Sequence, residues 1–160
     1  MVIDPSKPYQ ATLKTAKGDI VIDLFADRAP HAVNSFVFLA GQKWYDGVPF
    51  YTVIPGFAAL TGDPSGSGYG APGYSYATEN TGAHFDQPGL VGMLNFGGDT
   101  NGSQFFITLA ASSKLDGKYT PFGRVTQGMD IVQKLTPLTP SQGVAQANAD
   151  VILSVTVQEK

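Results

Sequence analysis

The residue types that most often perform acid–base, nucleophilic or metal chemistry are scarce in this chain and are not grouped for it. The 160 residues include two histidines, His31 and His84, and no cysteine. The histidines are not at metal-ligand spacing, so surface positions are expected for both. The lack of cysteine excludes thiol nucleophiles, zinc–thiolate sites and disulfides. No Gly-x-Ser-x-Gly motif indicates a hydrolase, and we expect neither a metal nor a cofactor.

The glycine-rich stretch 62–73 is the one segment whose composition could suit a phosphate cradle. No Gly-Lys-Ser or Gly-Lys-Thr follows it, and it contains Pro64 and Pro72, so a long surface loop is the better interpretation. The formal net charge of −3 provides no basic face for nucleic acid.

Two short apolar runs are separated by a turn signal between Phe50 and Asp63. Val53-Ile54 stops at Pro55-Gly56, and a second run continues from Phe57 to Leu60. Proline presets one backbone dihedral and glycine accepts a positive φ, so the pair favours a tight bend between two strands. This places Phe57 beside the bend.

Hydrophobic periodicity supplies the remaining elements. A helix is expected to begin at Pro30, to bury a stripe of Val33, Phe36, Val37 and Ala40, and to be capped by Gly41. Alternating or continuous apolar runs predict further strands near 9–14, 19–24, 90–94, 105–108, 121–125 and 151–157, a second helix near 129–135 and a polar connector over 137–150. Such a pattern predicts one mainly β domain over 1–160, an antiparallel barrel with helices over its ends.

We expect neither a membrane span nor a leader from this sequence. The first residues lack a basic region followed by an apolar core, and no apolar run approaches the 18 residues needed to cross a bilayer. We therefore expect a soluble, cytoplasmic and monomeric protein.

Four motifs in order resemble the cyclophilins, the family of cyclosporin-binding peptidyl-prolyl cis-trans isomerases. The likeness covers about 9–135 and is strongest in 100–108, Thr-Asn-Gly-Ser-Gln-Phe-Phe-Ile-Thr. It implies a closed eight-stranded antiparallel barrel capped by two helices, and isomerase activity on X-Pro peptides. The segments that carry it are 30–39, 50–63, 100–108 and 115–125.

The reaction explains which residue types such a site needs. Rotation about an X-Pro bond meets a barrier of about 18–20 kcal/mol that is set by amide resonance. An enzyme must hold the proline ring in an apolar socket, grip the neighbouring carbonyl and stabilise the twisted amide. A fixed cationic donor aimed at the pyramidal nitrogen stabilises the twisted state more than the planar one.

The resemblance assigns roles by position. From spacing alone, the apolar members of this set would be ordinary core residues; only the motif frame makes them a proline socket. The implied catalytic positions are Thr52, Phe57 and Gln104, and the implied substrate-binding positions are Ala58, Leu60, Leu94, Asn95, Phe106, Lys114, Leu115 and Tyr119. Among them, Phe57, Phe106 and Leu115 match the socket, Gln104 a polar wall, Asn95 the docking site for the substrate backbone, and Tyr119 a position that is often histidine.

Several of these positions depart from the family pattern. Thr52 replaces the arginine, Ala58 a methionine and Leu60 the glutamine that orients the arginine. Leu94 stands where alanine is usual, and Lys114 where an aromatic residue or histidine is common. Because threonine cannot replace a guanidinium, we expect weak isomerase activity.

Three functions remain open from the sequence. The chain could be a natural cyclophilin of low activity that binds X-Pro peptides. Alternatively, its pocket could have been rebuilt to hold an apolar small molecule, as a binder or an artificial enzyme on this scaffold. The third possibility is a peptide-binding module without turnover.

Overall fold

The computed structural model describes residues 1–139 and 148–160. A short 3₁₀ helix spans Ser113–Leu115. The elements are β1 Tyr9–Thr15, β2 Gly18–Leu24, α1 Pro30–Gly41, β3 Val48–Pro49, β4 Thr52–Ile54, β5 Ala58–Thr61, β6 Leu90–Met93, β7 Phe105–Thr108, β8 Thr120–Gln127, α2 Met129–Gln133, β9 Val151–Ile152 and β10 Ser154–Glu159.

Eight antiparallel strands form one curled sheet. Their order is β10-β1-β2-β8-β6-β7-β5-β4. The short pair β3–β9 joins the stretches of chain that precede β4 and β10, so it bridges the two edges of the sheet. The predicted fold class, a mainly β barrel with two helices, is confirmed.

The sheet buries its main core on its inner face. Helix α1 covers this face with Phe36, whose ring lies 5.3 Å from that of Tyr45 and 5.5 Å from those of Phe105 and Phe122. All four side chains are fully buried. Successive strand residues point to opposite faces of a sheet. The strand neighbours of Phe105 and Phe122 therefore point to the outer face, where the candidate site lies.

The predicted cap at Gly41 is wrong by two residues. Gly41 is the last helical residue, and the left-handed conformation belongs to Lys43, with φ +59°. The amides of Lys43 and Trp44 bond to the carbonyls of Ala40 and Leu39, which is the Schellman pattern. These two hydrogen bonds hold a lysine in a conformation that usually belongs to glycine.

Two further strand predictions need correction. The run 151–157 is not one strand, because its alternation breaks at Leu153, which is 48% exposed and whose amide bonds to the carbonyl of Lys14. Strand β8 is longer than the predicted 121–125. The predicted connector over 137–150 lies partly outside the described residues, but Leu138 within it pairs with Val53.

The N-terminus of α1 is satisfied from a distant segment. No side chain of the helix itself caps it. The carboxylate of Glu79 instead accepts hydrogen bonds from the amides of His31 (3.1 Å) and Ala32 (2.9 Å). A carboxylate at this end also interacts favourably with the helix dipole. Glu79 thereby links its own segment of the chain to α1, the helix that covers the core.

We predict that Glu79→Gln lowers the free energy of unfolding by about 0.5–1 kcal/mol, because it removes the charge at the helix N-terminus. Urea denaturation measures the change. The matched control is Glu159→Gln, whose partner Lys7 lies at 3.0 Å on the open surface; such pairs contribute little. Equal losses in the two variants would contradict the capping role.

Candidate functional site

A second apolar cluster lies on the outer face of the sheet. Its buried members are Ala58, Phe85, Leu90 and Phe106. In β7, Phe105 joins the inner core, so the next residue, Phe106, points outward. The rings of Phe85 and Phe106 are in contact, with centroids 5.3 Å apart. This cluster is the floor of a surface groove.

The floor requires glycine at position 92. Gly92 on β6 is the register partner of Phe106 on β7. A Cβ atom on Gly92 would overlap ring atoms of both Phe106 and Phe85. The missing side chain therefore lets both rings lie against the sheet.

An apolar cavity of about 170 Å³ opens above this floor. It brings together seven of the residues that the sequence singled out. They are Phe57, Ala58, Leu60, Leu94, Phe106, Leu115 and Tyr119. We call this cavity the socket.

The predicted turn positions Phe57 at the rim of the socket. Gly56 has φ +75°, and the amide of Phe57 bonds to the carbonyl of Ile54 at 3.0 Å, as in a tight β-turn. The carbonyl of Phe57 accepts a bond from Leu109. Its ring remains 38% exposed, so it is available to a ligand.

The opposite wall is anchored by Asp116. One carboxylate oxygen accepts the amide hydrogen of Phe85 at 2.8 Å, and the other lies 3.1 Å from Nδ1 of His84. This holds Leu115, the preceding residue, at the socket. Tyr119 completes the wall with an edge-to-face contact on Phe106, at 5.5 Å between centroids.

Thr52 does not reach the socket. It is the register partner of Leu60 and is only 1% exposed, with no hydrogen-bond partner for its hydroxyl among the described residues. Leu60 lines the socket. In the part of the chain that the structure describes, no lysine or arginine lines the socket either. The position that the motif resemblance matches to the family's arginine is thus buried and neutral.

Gln104 is committed to the protein itself. Its Oε1 accepts a hydrogen bond from the Tyr51 hydroxyl at 2.6 Å, and its Nε2 donates to the carbonyls of Gly68 (3.0 Å) and Gly70 (2.9 Å). Burial raises the pKa of Tyr51, with the nearby charge of Asp63 adding to the shift, so the hydroxyl stays a donor. Gln104 lines a neighbouring cavity rather than the socket.

The glycine-rich loop is held from inside by Asp63. This fully buried carboxylate accepts hydrogen bonds from the amides of Ser65, Gly68 and Gly70. Burial raises the pKa of Asp63, but these bonds and that of the Ser65 hydroxyl lower it further, so the net pKa is below its usual value. Charged Asp63 is therefore part of the folded loop.

Asn95 leaves its main chain open beside the socket. Its side chain donates to the carbonyl of Lys118 at 3.0 Å and accepts from the amide of Gly97 at 3.1 Å. Neither its own amide nor its own carbonyl forms a backbone hydrogen bond within the described residues. An extended peptide can pair with such groups.

One predicted binding residue does not line the socket, and several residues that the sequence did not indicate support the socket or its surroundings. Lys114 is exposed in the 3₁₀ helix and does not line the socket. Phe85, Gly92 and Tyr51 act through distant partners, so local spacing carried no signal for them. Within residues 1–139 and 148–160, no group of three or more histidine or acidic residues could hold a metal, and no helix has the length and apolar character to cross a membrane.

The lowered pKa of Asp63 predicts a pH-dependent contribution to stability. Its charged form contributes above the pKa of the unfolded chain, near 4, and the contribution is lost as pH falls through the lower folded pKa. We predict that Asp63→Asn costs on the order of 2 kcal/mol at pH 7 and that the difference from the parent chain shrinks below pH 4.

Urea denaturation at several pH values measures this difference. Asp99→Asn, at an exposed position, controls for the change in net charge and should leave stability unchanged at pH 7. A loss from Asp63→Asn that stays constant down to pH 2 would contradict the charged role of Asp63.

Comparison with known proteins gives one consistent family. Residues 10–157 match the family described as cyclophilin type peptidyl-prolyl cis-trans isomerase/CLD. Peptidyl-prolyl cis-trans isomerase-like 1 of Rhizopus delemar is 43% identical over 134 residues, which cover 81% of each chain. Peptidyl-prolyl cis-trans isomerase B of Streptomyces anulatus is 40% identical over 167 residues, covering 93% of this chain and 95% of its own.

A solved structure supports the same conclusion. The cyclophilin type peptidyl-prolyl cis-trans isomerase of Cryptosporidium parvum, in the presence of the dipeptide Ala-Pro, superposes with a TM-score of 0.83 at 25% identity. The match covers 94% of this chain and 99% of that one. With the motif order and the barrel described above, these matches show that the chain belongs to the cyclophilin-type peptidyl-prolyl cis-trans isomerase family.

Proposed function

We propose that this protein binds X-Pro peptides in the socket and isomerises the X-Pro bond slowly. The observation that carries the proposal is the apolar socket of about 170 Å³ next to the open main chain of Asn95. The socket suits a proline ring, and the Asn95 backbone suits the peptide that carries it. The Cryptosporidium relative, studied with Ala-Pro, supports this ligand class.

The weak activity follows from the residues that stand where the family has its donors. Thr52 is buried and neutral, and Leu60 fills the place of the orienting amide. The twisted amide nitrogen therefore meets no cationic donor among the described residues that line the socket. Loss of one preorganised donor typically lowers the rate by about 10²–10³-fold.

The socket still favours rotation to some extent. A planar amide is more polar than a twisted one, because resonance places charge on its oxygen and nitrogen. Water stabilises the planar form, and apolar walls that exclude water remove that stabilisation. Phe57, Phe106 and Leu115 supply such walls, so binding alone lowers the barrier.

We predict that Thr52→Arg together with Leu60→Gln raises isomerase activity at least ten-fold, because the pair restores the donor and its orienting amide. Both changes are needed, since position 52 is buried and its neighbour on the adjacent strand is an apolar leucine. A protease-coupled assay on an X-Pro peptide measures the rate. Thr126→Arg, on the exposed end of β8, is the control.

Full family rates in the parent chain would contradict the catalytic argument. Peptide binding without any turnover would instead favour the non-catalytic peptide-binding module.

We also predict a single domain over 1–160, a monomeric state and a cytoplasmic location.

A second candidate function is the binding of an apolar small molecule. It is favoured by the lining of the socket, in which Tyr119 supplies the one polar side chain among the described residues. Ala58 is smaller than the family's methionine, and Leu60 adds apolar surface. Burial of an aromatic guest gains roughly 25 cal/mol per Å² of apolar area before ordering costs.

We predict that an aromatic fragment binds the socket more tightly than an X-Pro peptide if this second function is correct. Calorimetric titration of the same sample with each ligand measures both affinities. Tighter binding of the peptide would favour the function of an ordinary cyclophilin and contradict the second candidate function. Binding of neither ligand would mean that Leu60 and Leu94 fill the socket.

A further inference from the structure

Two large aromatic side chains project from facing loops next to the socket. Tyr69 is 84% exposed and Phe96 is 67% exposed. Their rings are nearly parallel, with an interplanar angle of 15° and centroids 6.5 Å apart. Single exposed aromatics are ordinary, but a stacked pair that spans two loops is a distinct surface. We call Tyr69 and Phe96 the aromatic pair.

The aromatic pair borders a cavity of about 230 Å³. Among the described residues that line this cavity, no side chain is charged. Leu94 lines both this cavity and the socket, so it forms a shared wall between them. The aromatic pair and the socket are therefore neighbours, with Leu94 between them.

The backbone on both sides of Tyr69 is unusually well held. Gly68 and Gly70 each donate their amide hydrogen to Asp63. Each also accepts a hydrogen bond at its carbonyl from Nε2 of Gln104. Tyr69 is thus exposed to solvent on a backbone that these hydrogen bonds hold in place. Less conformational entropy is therefore lost when a ligand binds to it.

The second loop is also ordered around its aromatic residue. The amide of Phe96 donates to the Thr100 hydroxyl at 2.6 Å, and that hydroxyl donates to the carbonyl of Gly97. Asn95, whose main chain is open, lies between Leu94 at the socket and Phe96 in the aromatic pair. A peptide strand that paired with Asn95 would lie beside both the socket and Phe96.

We propose that the aromatic pair determines substrate specificity by stacking on an aromatic side chain of the same peptide that places its proline in the socket. This inference rests on the proposed function. Side chains on one face of an extended peptide repeat every second residue, so the aromatic residue lies about two positions from the proline. The formal net charge of −3 and the lack of a charged lining argue against nucleic acid as the stacking partner.

The test compares two peptides that differ only in one residue, two positions from the proline: phenylalanine or alanine. Peptides with the change on the N-terminal and on the C-terminal side are both measured. We expect one phenylalanine peptide to bind about three- to ten-fold more tightly than its alanine partner, the usual range for an aromatic contact.

Variants of the aromatic pair then locate the contact. Tyr69→Ala and Phe96→Ala should each abolish the preference for phenylalanine, so that the phenylalanine and alanine peptides bind each variant with equal affinity. Phe38→Ala removes an aromatic ring of 41% exposure from α1, outside the groove, and should leave the preference intact. Calorimetry gives the affinities, and amide shifts of Gly70 and Gly97 report contact with the loops.

The outcomes separate this inference from the function on which it rests. If both peptides bind with equal affinity, the specificity role of the aromatic pair is wrong and the proposed function stands. A preference that survives both alanine variants also overturns it. If neither peptide binds, the proposed function fails and the inference fails with it.

Discussion

The contact of Phe106 with the bare backbone at Gly92 is the constraint on which the groove depends. A sheet normally covers its outer face with polar side chains, but here a phenylalanine lies against a glycine on the next strand, over Phe85. Tyr119 packs on the edge of the same ring, and Leu60 is its register partner on the other side. The socket is thus built on the outside of the barrel, separate from the main core. Because the socket is separate from the main core, the residues at the donor position can differ from the family pattern while the fold and the socket remain.

Polar groups near the groove serve the structure more than they serve chemistry. The amide of Gln104 and the carboxylate of Asp63 together hold the glycine-rich loop, and both are buried. A glutamine that already makes three hydrogen bonds has little left for a substrate. Among the described residues beside the socket, the main chain of Asn95 remains open to a polar contact. We therefore propose that this arrangement recognises a peptide backbone beside an apolar socket. Among the described residues that line the socket, no lysine or arginine can donate to a twisted amide.

Local sequence signals predicted the elements, and the motif resemblance indicated the residues that line the socket. Neither predicted the contacts that link distant segments. Alternation identified β1 and β2, and Pro55-Gly56 identified the turn that presents Phe57. Alternation failed at Leu153 because an irregularity between β9 and β10 changes which face the chain presents. The role of Gly92 could not be predicted, since it depends on the space that two rings from other segments occupy.

The cap of α1 and the partners of Gln104 show the same limit. Glycine was the natural choice for the left-handed position, yet Lys43 takes it because two backbone hydrogen bonds outweigh the strain. The motif placed Gln104 at the groove, but only the fold shows that Tyr51 and the loop carbonyls occupy its amide. Motif resemblance thus indicates where a side chain lies. It indicates less reliably which hydrogen bonds that side chain can still offer to a ligand.

The most direct measurement is exchange NMR of an X-Pro peptide with the unmodified chain, alongside a family member that has the arginine. Binding at the socket, seen as shifts of the Phe57 and Leu115 amides, with cis–trans exchange about 10²–10³-fold slower than in that relative, is the predicted result. Exchange at the relative's rate would contradict the loss of the donor. Absence of any shift at the socket would contradict peptide binding itself.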